Sequence, residues 1–124
     1  MFYHKQITEK IIGASIEVHR VLGPGLLESA YEECLSYELS TSGFQISRQI
    51  SLPIIYKDKK LEAGYRVDLV VENKVIVEIK AVESVSDIHR AQLITYLKLS
   101  GSKVGLLINF NVPKLIDGLQ RFAM

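Results

Sequence analysis

Asp68, Glu78 and Lys80 are the residues whose types and spacing can do chemistry in this chain. They lie in YRVDLVVENKVIVEIKAV, from Tyr65 to Val82, which reads as two strands joined by a tight turn. Side chains alternate along a strand, so Val67, Leu69 and Val71 share one face of the first strand while Arg66, Asp68 and Val70 share the other. In the second strand Val75, Val77 and Ile79 form the apolar face, opposite Ile76, Glu78 and Lys80. With both apolar faces turned the same way, the two carboxylates and the ammonium converge. The loop decides the matter. A three-residue loop at Glu72-Asn73-Lys74 sets Asp68 across from Glu78, whereas a two-residue turn at Asn73-Lys74 sends them to opposite faces. The longer loop, or a compensating bulge, is predicted.

Neighbouring carboxylates repel, and a shared proton, a basic neighbour or a bound cation relieves them. Oxygen-only ligation suits Mg²⁺ or Mn²⁺, which keep several waters and borrow further ligands from a phosphate. Lys80 is then placed to steady an attacking water or the charge building on a phosphorus centre. A cross-strand salt bridge of Lys80 with either carboxylate accounts for the same residues. The hairpin alone leaves both readings open.

The surrounding elements must position these groups. Ile7, Ile11, Ala14, Val18 and Val21 have helical spacing and predict a first helix from Thr8, as N-cap, to about Leu22. Gly23-Pro24-Gly25 breaks it, and a second helix runs from about Leu26 to Ser40. At about 100° per residue, Leu27, Tyr31, Cys34, Leu35 and Leu39 fall on one arc, with the Glu28 carboxylate inside it. Ile46 to Tyr56 alternates as a strand in which Pro53 argues for a sheet edge or a bulge, and Asp58-Lys59-Lys60 is the turn that ends it. After the hairpin, Ser86 or Asp87 caps a third helix to about Leu99, closed by Gly101. Val104 to Phe110, VGLLINF, reads as a strand buried on both faces, and Asp117-Gly118 as a turn before a last short strand. The order helix, helix, strand, strand, strand, helix, strand predicts an α/β sandwich with a mixed sheet.

At 124 residues one domain spanning 1–124 is expected. Hydrophobic residues at 48% and charged residues at 23% are the balance of a folded protein. Fifteen Lys and Arg against fourteen Asp and Glu neither demand nor exclude a polyanionic partner. Lys57, Lys59 and Lys60, and His19 with Arg20, read as a solvated turn and a helix end. Cys34 is the single cysteine, so no internal disulfide forms, and it reads as a small buried hydrophobe. No signal-peptide core and no run of roughly 20 apolar residues is present, so a soluble, cytoplasmic protein without membrane contact is expected.

Asp68 followed by Glu78-Ile79-Lys80 resembles the PD-(D/E)XK nuclease pattern of the restriction-endonuclease-like fold, whose core has the same element order. Gly25-Leu26-Leu27-Glu28-Ser29-Ala30-Tyr31 resembles the signature of the GxxExxY family, a small branch of that superfamily, and the similarity runs from the first helix through VGLLINF. Val67 stands where the superfamily motif has its proline, a position that does not ligate metal. The resemblance implies metal-dependent cleavage of nucleic-acid phosphodiesters, with DNA the expected substrate. It makes Asp68, Glu78 and the carbonyl of Ile79 metal ligands, Lys80 the catalytic lysine, and Glu28 the acidic residue supplied by an early helix. Gln92 and Tyr96 share a face of the third helix and resemble a Gln-x-x-x-Tyr element that supports the site or touches DNA in related nucleases; an ordinary core tyrosine with a glutamine at the core's rim accounts for them nearly as well. Tyr31, the last letter of the signature, reads equally as a substrate contact and as a packing residue. His89, near the inward face of the third helix, reads as a solvated or capping histidine ahead of a phosphate contact, and His19 as a charge suited to a helix C-terminus. A domain this small implies a homodimer or a partner protein on DNA. The alternative is a nucleic-acid or protein-binding module that keeps the fold without catalysis.

Overall fold

The computed structural model describes residues 3–124, the side chains at positions 63 and 64 excepted. The chain runs α1 (Lys5–Leu22), α2 (Glu28–Thr41), β1 (Ile46–Tyr56), β2 (Lys59–Val71), β3 (Val75–Lys80), α3 (Asp87–Ser100), β4 (Val104–Asn109), a 3₁₀ turn (Leu115–Gly118) and β5 (Leu119–Ala123). The predicted order is observed, closing strand included. Helix α1 starts earlier than its periodicity suggested. His4 is the N-cap, and Thr8 lies inside the helix, its Oγ1 donating to the Lys5 carbonyl at 3.0 Å. Leu27, read onto the buried arc of α2, is the residue before the helix and is 77% exposed, because helical spacing does not apply at an extended N-cap. Tyr31, Leu35 and Leu39 do face inward, while Cys34 is half-buried beside them.

The five strands lie in chain order, β1-β2-β3-β4-β5. Strands β3 and β4 are parallel through the α3 crossover, and the other neighbours are antiparallel. Strand β1 is at the edge, and its register shifts between Leu52 and Ile54, around Pro53, so both options allowed for that proline are realised. Its turn is Lys57-Asp58, with Lys57 at φ 54°; Lys59 and Lys60, expected in the turn, already pair in β2. The loop of the β2–β3 hairpin is Glu72-Asn73-Lys74, closed by Val71 opposite Val75, as predicted. Ser86 caps α3 and Gly101 ends it at φ 75°.

One face of the sheet packs Leu69, Val71, Val77 and Ile79 under α1 and α2. The other packs Val67, Ile76 and Leu107 under Leu93, Tyr96 and Leu97 of α3. Val67 departs from the strict alternation that grouped it with Leu69 and Val71. The pleat is interrupted between them, where Gln49 on the facing strand has a positive φ of 50°. Strand β4 is buried at all six positions. At Gly118 even a methyl group has no room, since it would collide with the Asn109 carbonyl oxygen and press Val112 Cγ2 at 3.1 Å. Gly118→Ala is expected to lower unfolding free energy by about 2 kcal/mol or more, read from the denaturation midpoint.

Candidate functional site

The β2–β3 ladder stops at Leu69 opposite Val77. The next rung is made by side chains. The Asp68 N–H donates to Glu78 Oε2 at 2.8 Å, and the Ile79 N–H donates to Asp68 Oδ2 at 2.8 Å. Each carboxylate therefore closes the backbone of the other strand with one oxygen. In an extended strand the N–H and C=O of one residue project to the same edge. The Ile79 carbonyl accordingly faces the gap on the Asp68 side.

Lys80 follows on β3, half-buried, and its carbonyl accepts from the Phe110 N–H at 2.9 Å. Its charge acts on both carboxylates. It forms no ion pair with either, so the salt-bridge reading of the hairpin is not realised among the described residues. Glu28 opens α2, where the positive end of the helix dipole suits a carboxylate. Its Oε2 accepts from the Ala81 N–H at 3.2 Å, which brings it over the end of β3, and its charge reaches both Asp68 and Glu78.

Burial raises the Asp68 carboxyl above its ordinary range, and the Glu28 charge acts in the same direction. Glu78 is pushed up to about 8, first by burial and then by the adjacent Asp68 charge, with the Asp68 N–H and Lys80 opposing. A proton retained on Glu78, or a bound cation, relieves this pair. All its donors are oxygens, which fits Mg²⁺ or Mn²⁺. Among the described residues no three His, Cys, Asp or Glu side chains gather closely enough to enclose an ion by themselves. Two carboxylates and a carbonyl, completed by water and a phosphate, are a donor set that Mg²⁺ accepts. Glu28 as a direct third carboxylate ligand is not formed in this geometry.

Tyr96 reaches the same place from α3. Its hydroxyl is pushed up by burial and then by the Glu78 and Asp68 charges, with Gln92 in hydrogen-bonding reach. Gln92 and Tyr96 also line an open groove of about 300 Å³ with Ile54, Tyr65, Ile88 and Leu99, between α3 and the β1–β2 ribbon. Tyr31 is different. It is fully buried, stacked on Phe110 with ring centroids 4.5 Å apart, and its hydroxyl donates to the Gly23 carbonyl at 2.6 Å and accepts from the Leu26 N–H at 3.1 Å. It pins the loop that delivers Glu28 and makes no surface for substrate.

His89 completes a capping box with Ser86. His19 sits near the α1 C-terminus and adds a 2.8 Å bond from Nε2 to the Val112 carbonyl, tethering the segment after β4.

Two contributors were missed in the sequence. Asn109, buried at the end of β4, clasps Val82 through its N–H and its carbonyl, at 3.1 and 2.9 Å, and so fixes the exit from β3. Its signal was a lone amide in an apolar run. Gln49 reaches Asp68 Oδ1 at 3.3 Å; it lies on an alternating strand and carried no signal.

Among the described residues no helix is long and apolar enough to cross a membrane. Neither a curated protein nor a solved structure matches the chain significantly. A family model does, over residues 5–122, and that span takes in Glu28, the crosswise carboxylates and Lys80. The mixed sheet with helices on both faces is the restriction-endonuclease-like arrangement, and the chain belongs to the PD-(D/E)XK nuclease superfamily.

Proposed function

We propose that this chain is a Mg²⁺- or Mn²⁺-dependent nuclease that hydrolyses phosphodiester bonds in DNA, of the GxxExxY type. The carrying observation is the crosswise pair. Asp68 and Glu78 are each locked to the opposite backbone at 2.8 Å, while Lys80 stands beside them with no ion-pair partner among the described residues. Such prior fixing means that little reorganisation accompanies the arrival of charge.

In this reading Asp68, Glu78 and the Ile79 carbonyl would hold the ion, and the nearby Glu28 charge would add to its attraction. A bound divalent cation supplies positive charge at the scissile phosphate and eases deprotonation of water. Lys80 donates from its ammonium to orient the attacking water and to balance charge on the phosphoryl oxygens. Gln92, half-buried at the groove, contacts the strand beside the scissile position, and Tyr96, almost fully buried, supports the carboxylates from beneath. A chain this small grips a duplex as a dimer or with a partner protein.

The near-neutral charge of +1 gives the binding-module reading its support. Cleavage of single-stranded, duplex and branched DNA, and of RNA, separates the two. Cleavage with Mg²⁺ or Mn²⁺ and its loss in EDTA, restored by adding metal, is the expected result. Binding of nucleic acid without metal uptake or cleavage would establish the module instead.

A further inference from the structure

Gln49 adopts φ 50° within β1. The other described non-glycine residues with positive φ are His4, at the start of a helix, and Lys57, Glu72 and Asn73, in turns. A left-handed conformation inside a strand is disfavoured for any residue with a Cβ, and it persists where surrounding structure imposes it. Gln49 stands between the pairs Arg48–Leu69 and Ile50–Val67, opposite Asp68. Its Nε2 donates to Glu32 Oε1 at 2.7 Å and to Asp68 Oδ1 at 3.3 Å. The amide nitrogen, not its oxygen, faces both carboxylate oxygens, one hydrogen to each. Glu32 is buried, and its other oxygen is held by Arg48 Nε at 3.1 Å and Nη2 at 3.0 Å. Arg48 Nη2 also reaches Glu33 at 2.8 Å.

We infer that Gln49 is a positioning residue: a neutral bridge that braces the outer oxygen of Asp68 against the Arg48–Glu32 pair. With Oδ2 on the Ile79 N–H and Oδ1 on the Gln49 amide, the whole carboxylate plane is set. The chemistry selects an amide. A lysine there would neutralise Asp68 and compete with a cation. A glutamate would add a third carboxylate between two others. An apolar side chain would release Oδ1 and leave Glu32 with one partner fewer. Hydrogen bonds of this kind, made to a ligating group rather than to the metal, commonly change metal affinity or activity by about 10- to 100-fold.

This role rests on the metal-site reading, and the test separates their failures. Mn²⁺ binding is followed by the paramagnetic resonance of free Mn²⁺ in the parent, Gln49→Gly and Gln49→Met, alongside thermal unfolding and cleavage kinetics. Gln49→Gly removes the amide while suiting the left-handed backbone, and Gln49→Met keeps the side-chain length without donors. Both are expected to fold, to bind Mn²⁺ about tenfold more weakly, and to lower kcat by about tenfold with KM nearly unchanged. Parent-like Mn²⁺ affinity and kcat in both variants would overturn the bridge. A loss confined to Gln49→Met would also overturn it, by tracing the effect to packing. A parent that takes up no Mn²⁺ removes the metal-site reading and this role together.

Discussion

Lys80→Ala is expected to reduce DNA cleavage by about 100- to 1,000-fold while leaving Mn²⁺ binding within about threefold of the parent. The separation follows from the position of Lys80. It is on β3 two residues beyond Glu78 and acts on both carboxylates by charge, yet it bonds to neither. On the proposed reading, removing it deletes a donor for the reacting atoms but none of the oxygens that would receive an ion. Loss of its positive charge even makes the carboxylates slightly better hosts for a cation. Fold stability changes little, since the part of Lys80 that joins the scaffold is its carbonyl, bonded to Phe110. Parallel loss of metal affinity and cleavage would show that Lys80 holds the site together instead of serving the reaction. Unchanged cleavage would remove it from the mechanism.

Glu78→Gln is expected to improve the metal-free fold at alkaline pH and to abolish tight metal binding. In the folded protein the Glu78 carboxyl is raised to about 8 by burial and the Asp68 charge. A carboxyl raised on folding contributes stability that is fully present below its unfolded value of about 4.5 and is lost as pH rises through about 8. Asp68, raised chiefly by burial, has the same sign. The loss from Glu78 amounts to roughly 3–5 kcal/mol between acid and pH 9. Glutamine is neutral throughout, and its Oε1 can still accept from the Asp68 N–H. The variant and the parent should therefore have similar Tm near pH 5, with the variant pulling ahead by roughly 10–20 °C towards pH 9. Saturating Mg²⁺ should close that gap by stabilising the parent alone. A pH-independent Tm difference would show that Glu78 is not held as a strained acid.

Much of this arrangement was legible because it is local. The Asp68–Glu78 pairing needs only strand alternation and a three-residue loop, both visible between Tyr65 and Val82. The third helix carries its own stop and start signals in Ser86 and Gly101. What was not legible depends on tertiary packing or on backbone irregularity. Thr8 and Leu27 were misplaced because a helix start is set by the cap, not by the apolar spacing after it. Val67 broke alternation because of a left-handed residue on the neighbouring strand. The role of Tyr31 in pinning the Gly23–Leu26 loop required knowing where its hydroxyl ends, and the reach of Gln49 required its partner strand.

The hairpin that joins Asp68 to Glu78 also bears on the order of assembly. Contacts ten residues apart can form early, with the carboxylates still in water and their repulsion screened. Glu28 must arrive across 53 residues of chain, and α3 must dock to bury Tyr96 over the pair. Where Glu78 is ionised, the repulsion grows as each packing layer removes water from the pair, α3 included. The electrostatic penalty thus falls on the docking of helices onto the hairpin more than on the pairing of its strands. An ion that relieves the carboxylates would act less as a nucleus for the hairpin than as a fastener for the helices packed over it.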